Sequence, residues 1–265
     1  MHSLFISLPL LLATAAHAAK SIIGGTEVRI EDYPYQVMVF IWDTVCGSGI
    51  IIDETHILTA GHVISGGNVH HFSIRAGSAT WAEGGQLVNV STVTKHPDYF
   101  QPEFFDNDIA ILTLAEKLVW GPTIQPIALA PGPCLNNTDT EPSGVALRPA
   151  ADTAVRISGW GAAYQGGPLE PTLRSLTVNV INQTECVAIY ASFVAKVTDA
   201  MFCAGVMEGG KGSCQGDSGG PVVDAEDGVL VGIVSWGRGC AQPGWPSVYV
   251  RVAYHREWIK KLAGV

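Results

Sequence analysis

The chain has 265 residues, of which 47% are hydrophobic and only 15% are charged, so it can bury a large core and does not have the composition of a disordered protein. Its formal net charge of −9 argues against nucleic acid as a partner, because binding phosphates requires clustered Lys and Arg. The 30 Gly and 15 Pro favour short strands joined by tight turns, which predicts an all-β fold.

The N-terminus has the pattern of an export signal. Residues 4–16 form an apolar run that is shorter than the roughly 20 residues of a membrane-spanning helix. Ala16 and Ala18 provide small residues at the positions that a signal peptidase reads. No later stretch is apolar for long enough to cross a bilayer. We therefore expect a signal peptide at 1–18 and a secreted, extracellular protein that does not associate with a membrane.

Short β-prone runs follow one another along the rest of the chain, separated by Gly, Pro, Asp and Asn. Residues 131–151 interrupt this series with four prolines and polar residues, which is typical of a connector. We therefore expect a first β unit at 22–130 and a second at 152–265. The β-prone runs lie at residues 36–42, 48–52, 56–59, 72–76, 87–93, 109–114, 154–158, 173–181, 221–223, 229–236 and 246–251.

The C-terminal tail, residues 253–262, is the one segment with a helical pattern. Tyr254, Trp258, Ile259 and Leu262 recur at a helical period. We expect this apolar stripe to pack against the core.

Six cysteines suit a protein that meets an oxidising compartment. The chain contains no Cys-x-x-Cys pair, so their spacing does not indicate a metal site, and we expect neither a metal nor a cofactor. Asn89, Asn136 and Asn182 begin Asn-x-Ser/Thr sequons, which are potential glycan sites in a secreted chain.

The strongest local signal for chemistry is Gly216-Asp217-Ser218-Gly219-Gly220-Pro221. A serine flanked by glycines can sit on a sharp turn with its hydroxyl exposed and with backbone N–H groups directed at a substrate. The same pattern occurs in the nucleophile elbow of α/β-hydrolases and in glycine-rich turns without catalysis. A serine hydroxyl becomes a good nucleophile only with a base and a carboxylate that holds the base in the right tautomer.

Two further motifs supply these groups. His62 ends the apolar run Thr59-Ala60-Gly61-His62, and Asp108 precedes the apolar run Ile109-Ala110-Ile111-Leu112. Taken singly, His62 could be an ordinary loop histidine and Asp108 an ordinary turn residue. Together with the Ser218 motif, and in the order His, Asp, Ser, they resemble the chymotrypsin and trypsin family of serine proteases.

The resemblance extends from Ile22 to the end of the chain. The further matching segments are Ile22-Ile23-Gly24-Gly25, Tyr33-Pro34-Tyr35-Gln36, Cys46-Gly47-Ser48-Gly49, Ser158-Gly159-Trp160-Gly161, Ser235-Trp236-Gly237 and Trp258-Ile259.

By this likeness, the fold should be two antiparallel six-stranded β-barrels with a C-terminal helix, and the site should lie between the barrels. Ser218 would be the nucleophile, His62 the general base and Asp108 the group that orients it, while the N–H groups of Gly216 and Ser218 would bind the oxyanion. The resemblance implies a monomeric endopeptidase that acts on proteins or peptides and can be bound by protein protease inhibitors.

The resemblance also implies roles around the triad. Ser235 should donate a hydrogen bond to Asp108, and the segment through Trp236 to Gly237 should pair with the substrate backbone. The resemblance implies a short propeptide at 19–21. Once it is removed, Asp217 should form an ion pair with the α-amino group of Ile22, and this buried pair should help to form the oxyanion hole.

The specificity pocket, by the same likeness, includes Gly212, Ser213, Gly237 and Ser247. Trypsin-like members have an aspartate at the position of Gly212, so a basic side chain would here lack a countercharge. Gly237 leaves the mouth open to a large side chain, and Ser247 makes the back wall slightly shallower. We expect cleavage after large apolar or aromatic residues.

The family positions predict the disulfides Cys186–Cys203 and Cys214–Cys240. Two family bridges are interrupted, because Val63 stands where the partner of Cys46 would be and Ala253 where the partner of Cys134 would be. We expect that Cys46 and Cys134 do not bond to each other.

The loop that binds calcium in trypsin offers only Glu83 here, which is too few oxygen ligands.

Two alternatives differ in class. An α/β-hydrolase would use Ser218 with Asp224 or Asp227 and with His255, but too few residues follow Ser218 for the alternating strands and helices of that fold. A catalytically inactive binding module could keep the protease fold. All three triad residues are present, which argues against it, and labelling of Ser218 by a fluorophosphonate would separate the two.

Overall fold

The structure is a computed structural model that describes residues 21–132 and 148–265. The expected signal peptide, most of the expected connector, Cys134 and Asn136 lie outside the described residues. The elements are α1 (Ser21–Gly24), β1 (Thr26–Glu27), β2 (Gln36–Ile41), β3 (Thr44–Ile51), β4 (His56–Thr59), β5 (Phe72–Ala76), β6 (Gln86–Lys95), β7 (Ala110–Leu114), β8 (Ala154–Gly159), β9 (Arg174–Val180), α2 (Gln183–Tyr190), β10 (Met201–Gly205), β11 (Pro221–Asp224), β12 (Leu230–Trp236), β13 (Ser247–Arg251) and α3 (Arg256–Ala263).

The first half of the chain closes into a barrel with the strand order β2-β3-β4-β7-β6-β5. All neighbouring pairs are antiparallel. In strand β6 successive side chains point to opposite faces of the wall: Val88 and Val90 are buried, whereas Leu87 and Asn89 are exposed. Closure removes the free strand edges that an open sheet would leave unpaired.

The second half forms a barrel with the order β9-β10-β13-β12-β11-β8, which closes where β8 pairs with β9. The short β1 pairs with the outer side of β9 and so attaches the N-terminal segment to this barrel. The two closed six-stranded antiparallel barrels and the C-terminal helix confirm the predicted fold class. They also exclude the α/β-hydrolase architecture.

The elements α1, β1, α2 and β10 were not predicted from the sequence, and two of them show why. Strand β10 is almost fully buried, so its residues show no alternation of apolar and polar side chains. Helix α2 has no clear apolar face, and its beginning is fixed by Asn182, whose side-chain oxygen accepts a hydrogen bond from the N–H of Thr184 at 2.9 Å.

Helix α3 begins at Arg256, three residues after the predicted start, because residues Val252–His255 form a 3₁₀ turn. The apolar stripe is only partly in the core. Ile259 is fully buried and Trp258 is half-buried, but Tyr254 and Leu262 are exposed. Within residues 21–132 and 148–265, no helix has the length and apolar content that a membrane span requires.

Candidate active site

His62 and Asp108 meet because their strands pair. Strand β4 ends at Thr59, which lies opposite Ala110 at the beginning of the antiparallel strand β7. The chain leaving β4 therefore turns at the same edge of the barrel where the chain enters β7. This brings His62 and Asp108 together although 46 positions separate them in the sequence.

Asp108 is fully buried, and three donors satisfy its carboxylate. His62 Nδ1 lies 2.7 Å from Oδ2, and the backbone N–H of His62 donates to Oδ1 at 2.8 Å. Ser235 Oγ donates to Oδ2 at 2.5 Å. The His62 side chain keeps 27% of its surface exposed, so the imidazole is held by a buried carboxylate and still faces the cleft.

Ser235 comes from the second barrel, where an irregularity in the sheet sets the direction of its side chain. The pairing of β12 with β13 shifts register between Val234 and Trp236, which leaves Ser235 in a β-bulge. A bulge re-aims a side chain out of the regular ladder. Here the result is a hydrogen bond that joins the second barrel to the Asp108 carboxylate of the first.

The turn around Ser218 lies directly against the first barrel. The backbone N–H of Ser48 donates to the carbonyl of Ser218 at 2.8 Å, and Ser48 Oγ donates to the carbonyl of Gly216 at 3.2 Å. A Cβ at Gly219 would come within 2.3 Å of the Ser48 carbonyl and of Thr59 Oγ1, so only glycine permits this approach. Ser218 is therefore held beside the end of β4, from which the chain leads to His62.

No hydrogen bond joins His62 to Ser218 in the described part of the chain. Catalytic hydrogen bonds are often long without a substrate and shorten in the complex. With Nδ1 occupied by the carboxylate, Nε2 is the nitrogen of His62 that remains for the serine.

The N–H groups of Gly216 and Ser218 are free to bind an anion. The N–H groups of Asp217, Gly219 and Gly220 in the same turn donate to backbone carbonyls. Among the residues that the structure describes, those of Gly216 and Ser218 donate to no protein acceptor. Gly216 reaches this conformation at φ +98, which side chains rarely adopt.

Asp217 points away from Ser218 and into the protein. It is fully buried, and its carboxylate accepts from the N–H groups of Gly161 at 2.8 Å and Cys214 at 2.9 Å. Burial raises the pKa of Asp217 to about 7. The Ile22 side chain is also fully buried, within the core cluster of the second barrel, while the peptide bond to Ser21 is intact.

A pocket of about 280 Å³ opens beside Ser218. Ser213 Oγ donates to Ser247 Oγ at 3.2 Å inside it, and the Cβ position of Gly212 lies 3.5 Å from Ser247 Oγ. No charged residue lines the pocket within the described chain. Its lining residues are Gln165, Ser213, Cys214, Gln215, Ser218, Val234, Ser235, Trp236, Gly237, Gly239, Cys240 and Ser247.

The sequence analysis missed several residues beside this pocket. Gln165, Gln215 and Val234 carry no pattern of their own that separates them from other loop and strand residues. Phe105 lies edge-on to His62 with ring centroids 6.2 Å apart, and it stacks on Trp236 at 5.8 Å. Its place immediately before Asp106-Asn107-Asp108 was the available signal.

Disulfide bonds join Cys186 to Cys203 and Cys214 to Cys240. The second bond lines the pocket and fixes its wall. Cys46 is a free, half-buried thiol, and its Sγ lies 3.4 Å from the carbonyl oxygen of Val39. Burial raises the pKa of Cys46 to about 12.

An imidazole held by a buried carboxylate, next to a serine on a tight turn with two free N–H groups, can transfer an acyl group through the serine. Serine hydrolases are the class of enzyme that uses this arrangement. The two-barrel fold narrows the class further, because the other common serine hydrolases are built on α/β folds.

Comparison with known proteins gives the family. Residues 22–259 match the family model described as Trypsin. The chain is 39% identical to "Trypsin 5G1" of Aedes aegypti over 95% of this chain and 88% of that protein, and 40% identical to "Trypsin Blo t 3" of Blomia tropicalis over 93% and 87%. Among solved structures, mouse neuropsin, a serine protease, has a TM-score of 0.76 and 30% identity, covering 90% of this chain and 98% of that one. The chain belongs to the trypsin family of serine proteases and is a serine-type endopeptidase.

Proposed function

We propose that this protein is a secreted endopeptidase in which Ser218, His62 and Asp108 carry out the peptide-bond cleavage. The observation that carries the assignment is the buried Asp108 carboxylate, which accepts hydrogen bonds from both Nδ1 and the backbone N–H of His62. This contact fixes the imidazole tautomer in which Nε2 is unprotonated and can act as a base.

Each proton in the proposed reaction has a defined place. His62 Nε2 takes the proton of the Ser218 hydroxyl as Oγ attacks the substrate carbonyl, and the N–H groups of Gly216 and Ser218 stabilise the oxyanion. The imidazolium then gives its proton to the leaving amine, which departs and leaves an acyl group on Ser218. Water, deprotonated by His62, then attacks the acyl carbon, and the imidazolium returns that proton to Ser218 Oγ as the acid leaves, which restores the enzyme.

The test is labelling by a fluorophosphonate together with peptide hydrolysis. We expect stoichiometric phosphonylation at Ser218, which peptide mapping would locate, and loss of nearly all turnover in Ser218→Ala. Ser48→Ala is a control for the fold of the turn, because Ser48 supports it through Gly216 without touching the reacting atoms. Hydrolysis by Ser218→Ala at the wild-type rate would refute the assignment.

We further propose that the enzyme cleaves after large apolar or aromatic residues. The pocket beside Ser218 has no charged lining residue within the described chain, so a buried Lys or Arg would lack a countercharge there. Arg238, near the pocket mouth, is exposed and does not line it, and its guanidinium lies 4.2 Å from the ring centroid of Trp245.

A panel of peptides that differ only in the residue before the cut tests this preference. We expect the highest kcat/KM for Phe, Tyr or Leu and the lowest for Arg, Lys and Asp. Fastest turnover on Arg or Lys would contradict the proposed preference without affecting the assignment of the triad.

Secretion and activation at Ile22 complete the proposal. The signal pattern at 1–18, the two disulfides and the exposed sequon residues Asn89 and Asn182 support export. N-terminal sequencing of the active secreted enzyme should read Ile-Ile-Gly-Gly. An active form that begins at Ser21 would contradict the proposed ion pair between Ile22 and Asp217.

A further inference from the structure

A second cavity, of about 570 Å³, shares no lining residue with the pocket of Ser218. It lies between the loop that leads to Asp108 and the C-terminal segment around α3. Asp98 and Asp106 line it from the loop, and His255, Glu257 and Trp258 line it from the C-terminal side. We refer to it as the His255 cavity.

The His255 cavity is acidic. Three of its lining residues are carboxylates, Asp98, Asp106 and Glu257, and none is Lys or Arg. Asp98 and Glu257 are exposed at its rim, whereas Asp106 is only 4% exposed. A cation that enters this cavity would therefore meet negative charge both at the rim and at depth.

Asp106 is a buried carboxylate without a cationic partner. Its Oδ1 accepts from Thr198 Oγ1 at 2.8 Å and from the N–H of Asn107 at 3.1 Å, both of them neutral donors. No ion pair of Asp106 occurs within the described chain. Burial raises the pKa of Asp106, as expected of a carboxylate that lacks a countercharge.

His255 provides an independent observation. It is 2% exposed, and its Nε2 has no hydrogen-bond partner in the described structure. Buried polar atoms without a partner are rare in proteins, and each one needs an explanation. Burial lowers the pKa of His255 to about 3, so the ring is neutral at physiological pH and does not repel a cation.

Aromatic rings also form one wall of the His255 cavity. The ring centroids of His96 and His255 lie 5.3 Å apart, and those of His96 and Trp258 lie 5.1 Å apart. Trp presents the best face for a cation among the aromatic side chains. Carboxylates and an indole ring that line one cavity are complementary to an ammonium or guanidinium group.

A bare metal ion fits the cavity less well. In the parts of the chain that the structure describes, no three His, Cys, Asp or Glu side chains form a group that could hold a metal ion. We propose that the His255 cavity binds an organic cation, an ammonium or guanidinium group. Two sources share this chemistry: a free amine, or a Lys or Arg side chain of a bound polypeptide.

Histidine NMR on the processed enzyme tests the proposal, with Ser218 first blocked by phenylmethylsulfonyl fluoride so that the pocket beside it is filled. If mass spectrometry shows that the blocking reaction does not occur, this result counts against the proposed function but not against cation binding in the His255 cavity. The titration would then use the unblocked protein. Butylguanidinium should shift the ¹⁵N signals of His96 and His255 saturably. Its neutral isostere butylurea should not.

Variants locate the binding. We expect Glu257→Gln to weaken butylguanidinium binding about fivefold, as for a rim charge, and Asp106→Asn to weaken it about tenfold or more, as for a buried one. Glu116→Gln, which changes an exposed carboxylate outside the cavity, should have no effect. Glu257→Gln alters only an exposed side chain and so keeps the test valid even if Asp106→Asn does not fold.

The remaining outcomes are decisive. A peptide of sequence Gly-Gly-Arg-Gly-Gly, blocked at both ends, separates the two sources of the cation. Binding of this peptide at least about tenfold more tightly than butylguanidinium would identify a polypeptide side chain as the source. Weaker or equal binding would identify a free amine. Equal binding of butylurea, or binding unchanged in both carboxylate variants, would overturn the proposal. Zn²⁺ that shifts the same signals at micromolar concentration and excludes butylguanidinium would also overturn it.

Discussion

We expect Gly212 to decide the charge at the base of the proposed specificity pocket. Its Cβ position makes only ordinary van der Waals contacts at 3.5 Å, with Ala241 and with Ser247 Oγ, so a side chain can be added there without displacing the backbone. The residue therefore offers a direct way to change the pocket from neutral to acidic.

Gly212→Asp should raise the kcat/KM for a peptide with Arg before the cut, relative to Phe, by about tenfold or more. The new carboxylate would pair with a cation that the wild-type pocket leaves without a countercharge. Gly212→Asn, which has nearly the same shape and no charge, is the matched control and should leave the ratio near that of the wild type. Equal ratios for the Asp and Asn variants would show that charge at this position does not decide specificity.

Ser235→Ala tests the third hydrogen bond to Asp108. Removing the Ser235 hydroxyl takes away the donor at 2.5 Å and leaves the two from His62. We expect kcat to fall about tenfold with KM nearly unchanged, because Ser235 acts on the substrate through His62 and Asp108. Ser235→Thr keeps a hydroxyl and should restore most of the rate. A fall in KM alone, or full activity in the Ala variant, would contradict this role.

At the scale of the elements, the first half of β3 and the turn after β4 pack together without a covalent link. Val63 is buried, and its side chain lies against Gly47, the neighbour of the free Cys46. Apolar packing therefore holds together two segments that most family members join by a disulfide.

Val63→Cys should form a disulfide with Cys46 and raise the free energy of unfolding by about 2 to 3 kcal/mol, the value expected for a loop of about 17 residues. Denaturant unfolding in a Ser218→Ala background, which prevents autolysis, measures the change. Val63→Ala is the control for lost packing and should be less stable than the parent. A Val63→Cys protein with two free thiols after air oxidation would show that the positions do not reach bonding geometry.

At the scale of the whole molecule, the proposed activation at Ile22 involves contacts of the N-terminal segment with the second barrel. The N–H of Gly212 donates to the carbonyl of Ile23 at 3.1 Å, so the segment that follows Ile22 touches the base of the pocket. Ile22 itself has φ 32, which is strained for a β-branched residue. Cleavage before Ile22 would remove this constraint and create the amine that Asp217 lacks.

The uncut chain should lose stability as the pH rises, relative to the processed chain. Burial raises the pKa of Asp217 to about 7 in the uncut chain, so its folded state favours the protonated carboxyl. Its stability therefore decreases from about pH 4 to pH 7, as the unfolded carboxyl ionises and the folded one resists. In the processed chain, the α-amino group of Ile22 would pair with the carboxylate and remove this loss.

Unfolding of both forms in the Ser218→Ala background at pH 4, 5.5 and 7 measures this difference. The gap in free energy of unfolding between the processed and uncut forms should widen with pH. Asp217→Asn should abolish the pH dependence of the gap. A constant gap in the parent would refute the ion-pair account.

The sequence predicted the residues of the candidate site better than their contacts. The motifs around His62, Asp108 and Ser218 are local, because glycine-rich turns and strand ends can be recognised from a few consecutive residues. The hydroxyl of Ser235 reaches Asp108 across 127 positions through a bulge between Val234 and Trp236, and nothing in the local sequence marks that bulge.

The fold was predictable in class, and its strands were predictable where one face meets solvent. Strand β6 alternates buried and exposed residues, and this period of two can be recognised in the sequence. Strand β10 is buried on both faces and showed no such period. For α3, the apolar stripe predicted more buried side chains than the structure has, because periodicity shows that a face is apolar but not how much of it the barrel covers.

By itself, the sequence determined the all-β class, the chemical identity of the reactive groups and the absence of an acidic residue at Gly212, since these depend on composition and on short local motifs. The donors to Asp108 and the free N–H groups beside Ser218 were implied only by the family resemblance, and the tertiary structure gives their geometry. Tertiary structure alone decided that Asp98, Asp106, His255 and Glu257 line one cavity. The physical reason is that burial and pairing are properties of groups brought together by barrel closure. The order of residues in the sequence does not give those distances.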